Sequence, residues 1–126
     1  MCGMQRSRPR IERYWDGALE KVRREGRCRL CPEVYDLQCA HTVARKHDEA
    51  VELEDGTLAI FVDPDDVIPL CPRCHADYDH RRVSVLEVLT LREQAAAVSH
   101  LGVVRALHRL TGQRMSVHNP GFESRA

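Results

Sequence analysis

Two Cys-x-x-Cys pairs, Cys28-Arg-Leu-Cys31 and Cys71-Pro-Arg-Cys74, are separated by 39 residues in this 126-residue chain. Each pair can occupy two corners of a tetrahedron, so together they supply the four thiolates of a structural zinc. Only 5% of the residues are aromatic, which leaves little apolar surface to hold the long excursion between residues 32 and 70. A metal that pins both ends of that excursion adds folding free energy directly. The competing reading of one pair is a redox dithiol, which belongs at a helix N-terminus after a strand in a βαβ unit, and no such pattern is present. Cys2 reads as an incidental terminal thiol. Cys39 is either a core thiol or a neighbour of a second group of residues.

That second group is not needed to hold zinc. It comprises Cys39-Ala40-His41-Thr42, then Asp63-Pro64-Asp65-Asp66-Val67-Ile68-Pro69-Leu70, then His75-Ala76-Asp77-Tyr78-Asp79-His80. His75 and Asp79 are four apart, so a helix starting at the second cysteine pair places them on one face. An imidazole and a carboxylate on one face, near a further carboxylate, suit a hard divalent ion such as Mg2+ or Mn2+. His41, brought alongside by the shared zinc, is then free to serve as a general base. Taken singly, His41 reads as a core or surface histidine and Asp79 as an exposed helix residue; their order around two cysteine pairs favours chemistry. His47, His100, His108 and His118 lack such a setting and read as structural or exposed. Arg45, Lys46, Arg73, Arg81 and Arg82 flank the group and are candidates for holding phosphates, with an ordinary solvated role as the plainer reading of each.

The elements that must position these residues follow from charge and periodicity. Nineteen basic and nineteen acidic residues cancel, which argues against bulk neutralisation of nucleic acid but not against local patches. Residues 1–31 hold nine basic and four acidic side chains, whereas residues 48–66 hold eight acidic and no basic ones. The acidic block reads mainly as a solvated hairpin. Ile11, Trp15, Ala18, Leu19 and Val22 recur at helical spacing, predicting a basic amphipathic helix within residues 1–26 that Gly26 ends in the left-handed conformation. Val51–Glu54 and Thr57–Val62 predict a hairpin around a type I′ turn at Asp55-Gly56. From Cys74 to Arg114 the chain reads as helical. Ser84-x-x-Glu87 and Thr90-x-x-Glu93 match the capping box of a short and a longer helix. Leu91, Ala95, Val98 and Leu101 are expected to form the apolar face of the longer one. A break at Gly102 precedes a last helix with Val103, Ala106, Leu107 and Leu110 inward. Residues 112–126 read as a frayed tail.

No apolar run approaches the roughly 18–20 residues of a membrane span. The N-terminal Met-Cys-Gly-Met-Gln-Arg has charge without an apolar stretch behind it, which predicts no secretory signal. The expected compartment is therefore the reducing cytoplasm, where paired cysteines are metal ligands rather than disulfides.

The order Cys-x-x-Cys, a strand ending in His, then Asp-Val-Ile-Pro-Leu-Cys-x-x-Cys-His-x-x-x-Asp resembles the HNH endonucleases of the ββα-metal fold. Ala-His-Thr-Val-Ala-Arg (40–45) and Cys-His-Ala-Asp-Tyr-Asp (74–79) look most like the small HNH proteins encoded by bacteriophages. The resemblance covers about residues 27–82 and is specific in order and spacing. It implies an α+β fold: a zinc-stapled ββα-metal core at 27–82, the basic helix at 1–26, C-terminal helices at 83–111 and a tail at 112–126, all in one nuclease domain. It implies His41 as the base that activates water, His75 and Asp79 as ligands of the catalytic ion, and Asp66 as a further ligand or an orienting group. Cys28, Cys31, Cys71 and Cys74 match the zinc ligands. One position departs from the pattern: Ala40 stands where the family has an Asp or His that binds the metal. Asp66, Asp65, His80 or water would have to fill that place.

The expected activity is metal-dependent hydrolysis of DNA phosphodiester bonds, with Zn2+ structural and Mg2+ or Mn2+ catalytic. The expected partners are DNA and, by the phage resemblance, a genome-packaging (terminase) complex in the host cytoplasm. No nucleotide cofactor is implied. The other reading is a non-catalytic zinc module that binds nucleic acid or protein through its flanking helices.

Overall fold

The computed structural model describes residues 10–113, which fold as α+β. Cys2, His118 and most of the expected tail lie outside them. The periodicity from Ile11 to Val22 resolves into two elements. Ile11–Tyr14 is strand β1, and helix α1 runs only over Asp16–Glu25. Ile11 belongs to the strand because it pairs in parallel with Leu58, and Trp15 turns the chain before the helix. Gly26 ends α1 as expected, at φ 67°, with its N–H donating to the Val22 carbonyl.

The hairpin is formed by β3 (Ala50–Glu52) and β4 (Leu58–Phe61), and β4 also takes β1 on its other edge. Its turn is not type I′, because only Gly56 of the Asp55-Gly56 pair has positive φ, at 86°. The Gly56 N–H reaches Leu53 O at 3.0 Å and the Leu53 N–H reaches Thr57 O at 2.8 Å. That is a type I turn closed by a left-handed glycine. Asp55 caps it by accepting from the Thr57 N–H at 2.9 Å.

A second, two-stranded ribbon pairs β2 (Gln38–His41) with β5 (Val67–Leu70), antiparallel, His41 opposite Val67 and Gln38 opposite Leu70. Helix α2 (Pro72–Asp79) follows directly, with Pro72 at its first turn and the Cys71 sulfur accepting from the Cys74 N–H. Tyr78 of α2 is fully buried on the ribbon with Ala40, Ile68 and Leu70, and its hydroxyl donates to the Thr42 carbonyl. The other face of the ribbon meets α1, where Val67, Ala18 and Val62 pack with Trp15 and Cys39.

Helices α3 (Leu91–Leu101) and α4 (Val103–Thr111) close the α2 side, with Gly102 separating them. Thr90 and Glu93 make the full capping box. Ser84 only reaches Glu87 and the Leu86 N–H at the start of a single 3-10 turn, so the expected short helix is that one turn. The inward face of α3 also differs from expectation. Leu91 is 82% exposed, whereas Ala97 and Glu93 are buried. Glu93 is drawn inward by two cations, Lys21 from α1 and Arg29 from the first cysteine pair. Lys21 also donates to the Pro64 and Val67 carbonyls at 2.7 and 2.8 Å. A buried charge needs such complete pairing, and meeting it turns α3 so that Leu91 faces outward. In α4, Ala106 and Leu110 are buried as expected, but Val103 and Leu107 are exposed. No helix among the described residues is long and apolar enough to cross a membrane.

Candidate functional site

The four cysteines meet. The Sγ atoms of Cys28, Cys31, Cys71 and Cys74 all lie within 4.8 Å of one another, and among the described residues no other set of three or more Cys, His, Asp or Glu ligand atoms does so. Cys31 and Cys71 Sγ are 3.7 Å apart. A tetrahedron with metal–sulfur bonds of about 2.3 Å has edges of about 3.8 Å, so the cluster can hold one metal ion in a geometry consistent with structural zinc. Burial works to raise the Cys28 thiol, but hydrogen bonding from the backbone at Cys71, Leu30 and Cys31 draws it down to about 7. The Cys74 thiol is pushed up by burial and by the three neighbouring sulfurs. Four thiols this close cannot all ionise without a cation among them. Arg73 is exposed beside the cluster and lines a recess with Cys31 and Cys71.

Strand β2 distributes the remaining candidates over its two faces. Ala40 packs toward α2 and Cys39 toward α1, and side chains alternate along a strand, so Gln38 shares the α2 face and His41 the α1 face. Ala40 is completely buried beside Tyr78, a packing position in which it supplies no ligand. Burial pushes the Cys39 thiol up, as befits a core thiol.

On the α1 face His41 Nε2 lies 3.1 Å from Asp48 Oδ2. The same carboxylate oxygen accepts from Arg13 at 2.7 Å, and the Asp48 side chain is 2% exposed. Trp15 meets the imidazole edge-on, centroids 5.5 Å apart, and the Arg45 guanidinium lies over the indole at 5.5 Å from its centroid. Since a carboxylate only accepts, Nε2 carries the proton and Nδ1 keeps its lone pair. Burial lowers the pKa of His41, against the opposing pull of Asp48. The ring is therefore neutral at neutral pH, with a fixed tautomer and a basic nitrogen.

Beside this pair sits another. Asp66, 4% exposed, has both carboxylate oxygens within 3.1–3.2 Å of His100 Nε2 on α3. Its backbone carbonyl accepts from the Thr42 N–H at 2.9 Å, which ties it to the end of the His41 strand. Burial raises the Asp66 pKa, with the His100 interaction opposing it. The His47 ring lies 5.9 Å from that of His100. Asp66 thus engages His100 instead of completing a ligand set with His75 and Asp79, and His100 has the partner that its sequence neighbours do not reveal.

His75 and Asp79 share one face of α2 as predicted, Nε2 to Oδ2 3.5 Å. His75 Nδ1 is 2.7 Å from Gln38 Oε1. An amide oxygen accepts only, so Nδ1 donates to Gln38, and Nε2 faces the Asp79 carboxylate. This is how a metal-binding histidine is usually held, and the pair offers two donors to a divalent ion. Asp65 is bound by Arg92 at 3.1 Å and His80 caps the end of α2, so neither joins them.

Among the phosphate candidates, Arg82 pairs with Asp77 at 3.4 Å, while Lys46 and Arg81 line one cleft with Asp79. Sequence reasoning missed Asp48, Gln38, His100, Arg105 and Arg109. Asp48 is seven residues from His41 across the 3-10 turn Arg45–His47, and Gln38 is 37 residues from His75, which reaches it only because α2 packs on β2. Compared with known protein families, curated proteins and solved structures, the chain matches none.

Proposed function

We propose that the protein is a metal-dependent DNA endonuclease whose general base is His41, with the cysteine cluster holding a structural zinc. The observation that carries this reading is the His41–Asp48 pair. A buried carboxylate, itself fixed by Arg13, holds a neutral imidazole in the tautomer that leaves Nδ1 free. That is the arrangement general-base catalysis needs, and such a base contributes about 10²–10⁴-fold. The antiparallel β2–β5 ribbon followed by α2 supports the ββα resemblance.

His41 Nδ1 takes the proton of the attacking water while Asp48 stabilises the imidazolium that forms. Arg13 keeps the carboxylate from swinging away. On the opposite face of the ribbon from His41, His75 Nε2 and Asp79 would hold a Mg2+ or Mn2+ ion, with Gln38 fixing the imidazole, so a phosphate served by both base and ion must sit at the end of β2 that His41 occupies. When bound, such an ion supplies Lewis-acid stabilisation of the phosphate charge. Two protein ligands are few, yet magnesium is commonly held by one or two carboxylates with water and phosphate oxygens completing its shell. Asp66 and His100 support the base strand from behind, through the Thr42 backbone.

The buried Ala40, which supplies no ligand, favours as second reading a zinc-stabilised DNA- or protein-binding module. Magnesium-dependent nicking of supercoiled plasmid, lost in His41→Ala, distinguishes the two; DNA binding without nicking selects the module.

A further inference from the structure

We propose that the cleft between the turn after β2, the end of α2 and helix α4 is a phosphate-binding groove for duplex DNA, in which Lys46, Arg81 and Arg105 are the contacting cations. The choice of DNA as the polyanion rests on the nuclease reading; the choice of an anion rests on the cleft. Its volume is about 650 Å³, and its walls include Lys46, His47, Asp79, Arg81, Arg105 and Arg109. The chain as a whole is neutral, so this concentration of positive charge is local.

The cleft's one carboxylate, Asp79, is matched by Arg109 at 3.6 Å. Arg109 is also stacked on the Tyr78 ring, 4.2 Å to the centroid, and forms a fixed wall. The other three cations are exposed, and none makes an ion pair among the described residues. They converge from three separate elements: Lys46 from the 3-10 turn Arg45–His47, Arg81 from the turn after α2, and Arg105 from α4. Like charges gathered at one cleft repel one another, and an anion running through it relieves that repulsion. Arg81 is held there at φ 61°, a backbone conformation where Gly or Asn is the ordinary choice.

Asp79 lines the cleft and also faces His75. A DNA strand followed along Lys46, Arg81 and Arg105 therefore passes the residues proposed to hold the ion. The C-terminal helix α4, outside the ribbon and α2, thereby acquires a role in holding substrate.

The test is fluorescence anisotropy of a labelled 20-base-pair duplex against the zinc-loaded protein without added magnesium, over a range of salt concentrations. Each phosphate contact contributes about 0.9 to the slope of log affinity against log salt. Arg105→Ala and Lys46→Ala are each expected to flatten the slope by about 1 and weaken binding about eightfold near 0.1 M salt. Arg92→Ala, exposed on α3 and outside the cleft, is expected to change neither. Unchanged affinity and slope in both cleft variants overturns the groove, as does equal weakening by Arg92→Ala. Plasmid nicking by the wild-type protein is scored separately. Nicking with unaltered duplex binding in the cleft variants rejects the groove and keeps the nuclease; cleft-dependent binding without nicking rejects the nuclease and keeps the groove.

Discussion

Asp48 Oδ2 lies 3.1 Å from His41 Nε2 and 2.7 Å from the Arg13 guanidinium, inside a pocket where the carboxylate is 2% exposed. One oxygen therefore fixes the tautomer of the imidazole while a cation from β1 fixes the oxygen. The consequences fall on rate and pH dependence alike.

Asp48→Asn is expected to lower the rate of plasmid cleavage by about 10²-fold, within the range a well-held general base contributes. It is also expected to move the acid limb of the pH–rate profile downward. Burial lowers the His41 pKa and Asp48 opposes that effect, so removing the carboxylate's charge lowers it further. In the wild-type protein the base must be neutral, which places the acid limb below the ordinary histidine value of about 6.5. An acid limb that shifts upward in Asp48→Asn contradicts this assignment.

Gln38 acts on the ion through His75. Gln38→Leu is expected to weaken Mn2+ binding about 10–100-fold, the usual cost of losing a group that orients a metal-binding histidine. His75→Ala and Asp79→Ala are expected to abolish saturable Mn2+ binding. Calorimetric titration of the zinc-loaded protein reads all three, and unchanged Mn2+ affinity in Asp79→Ala counts against the α2 face as the ion site.

The buried cluster of Lys21, Arg29 and Glu93 joins α1, the first cysteine pair and α3. Burial raises the Glu93 carboxyl, but hydrogen bonds from Arg29, Lys21 and the Thr90 backbone outweigh it and hold the pKa at about 2. Because that lies below the unfolded value of about 4.5, the contribution is complete above roughly pH 4.5 and is lost as pH falls toward 2. Glu93→Gln leaves two buried cations without their anion and is expected to cost about 3–5 kcal/mol. Urea unfolding at neutral pH measures that loss; a loss under 1 kcal/mol contradicts it.

Zinc is expected at about one ion per chain, and its removal is expected to unfold the protein. The cysteine cluster joins the chain at residues 28–31 and 71–74 and forms one edge of the main core. Structural zinc in small domains supplies folding free energy that the chain does not replace. Circular dichroism during chelator titration, with restoration by added Zn2+, checks this; a fold that survives complete chelation rejects it.

The metal cluster and the capping box at Thr90 were legible in the sequence because each is a matter of residue type and short spacing. The hairpin was legible for the same reason, although its turn type was not. Long-range partners were not. His100 is 34 residues from Asp66, on a helix whose apolar residues point to a different inward face. That face is set by Glu93, whose burial depends on Lys21 and Arg29 arriving from distant segments. Likewise Ile11 fits helical periodicity as well as strand pairing, and only the presence of β4 decides between them.

The most direct measurement is conversion of supercoiled plasmid by the zinc-loaded protein as magnesium is added, with wild type, His41→Ala and Asp66→Ala side by side. Cleavage is expected to require magnesium, to vanish in His41→Ala, and to fall less in Asp66→Ala, whose carboxylate supports His100 instead of the ion. Wild-type protein that leaves plasmid at the His41→Ala background across the magnesium titration would contradict the nuclease, leaving a zinc-held DNA- or protein-binding module.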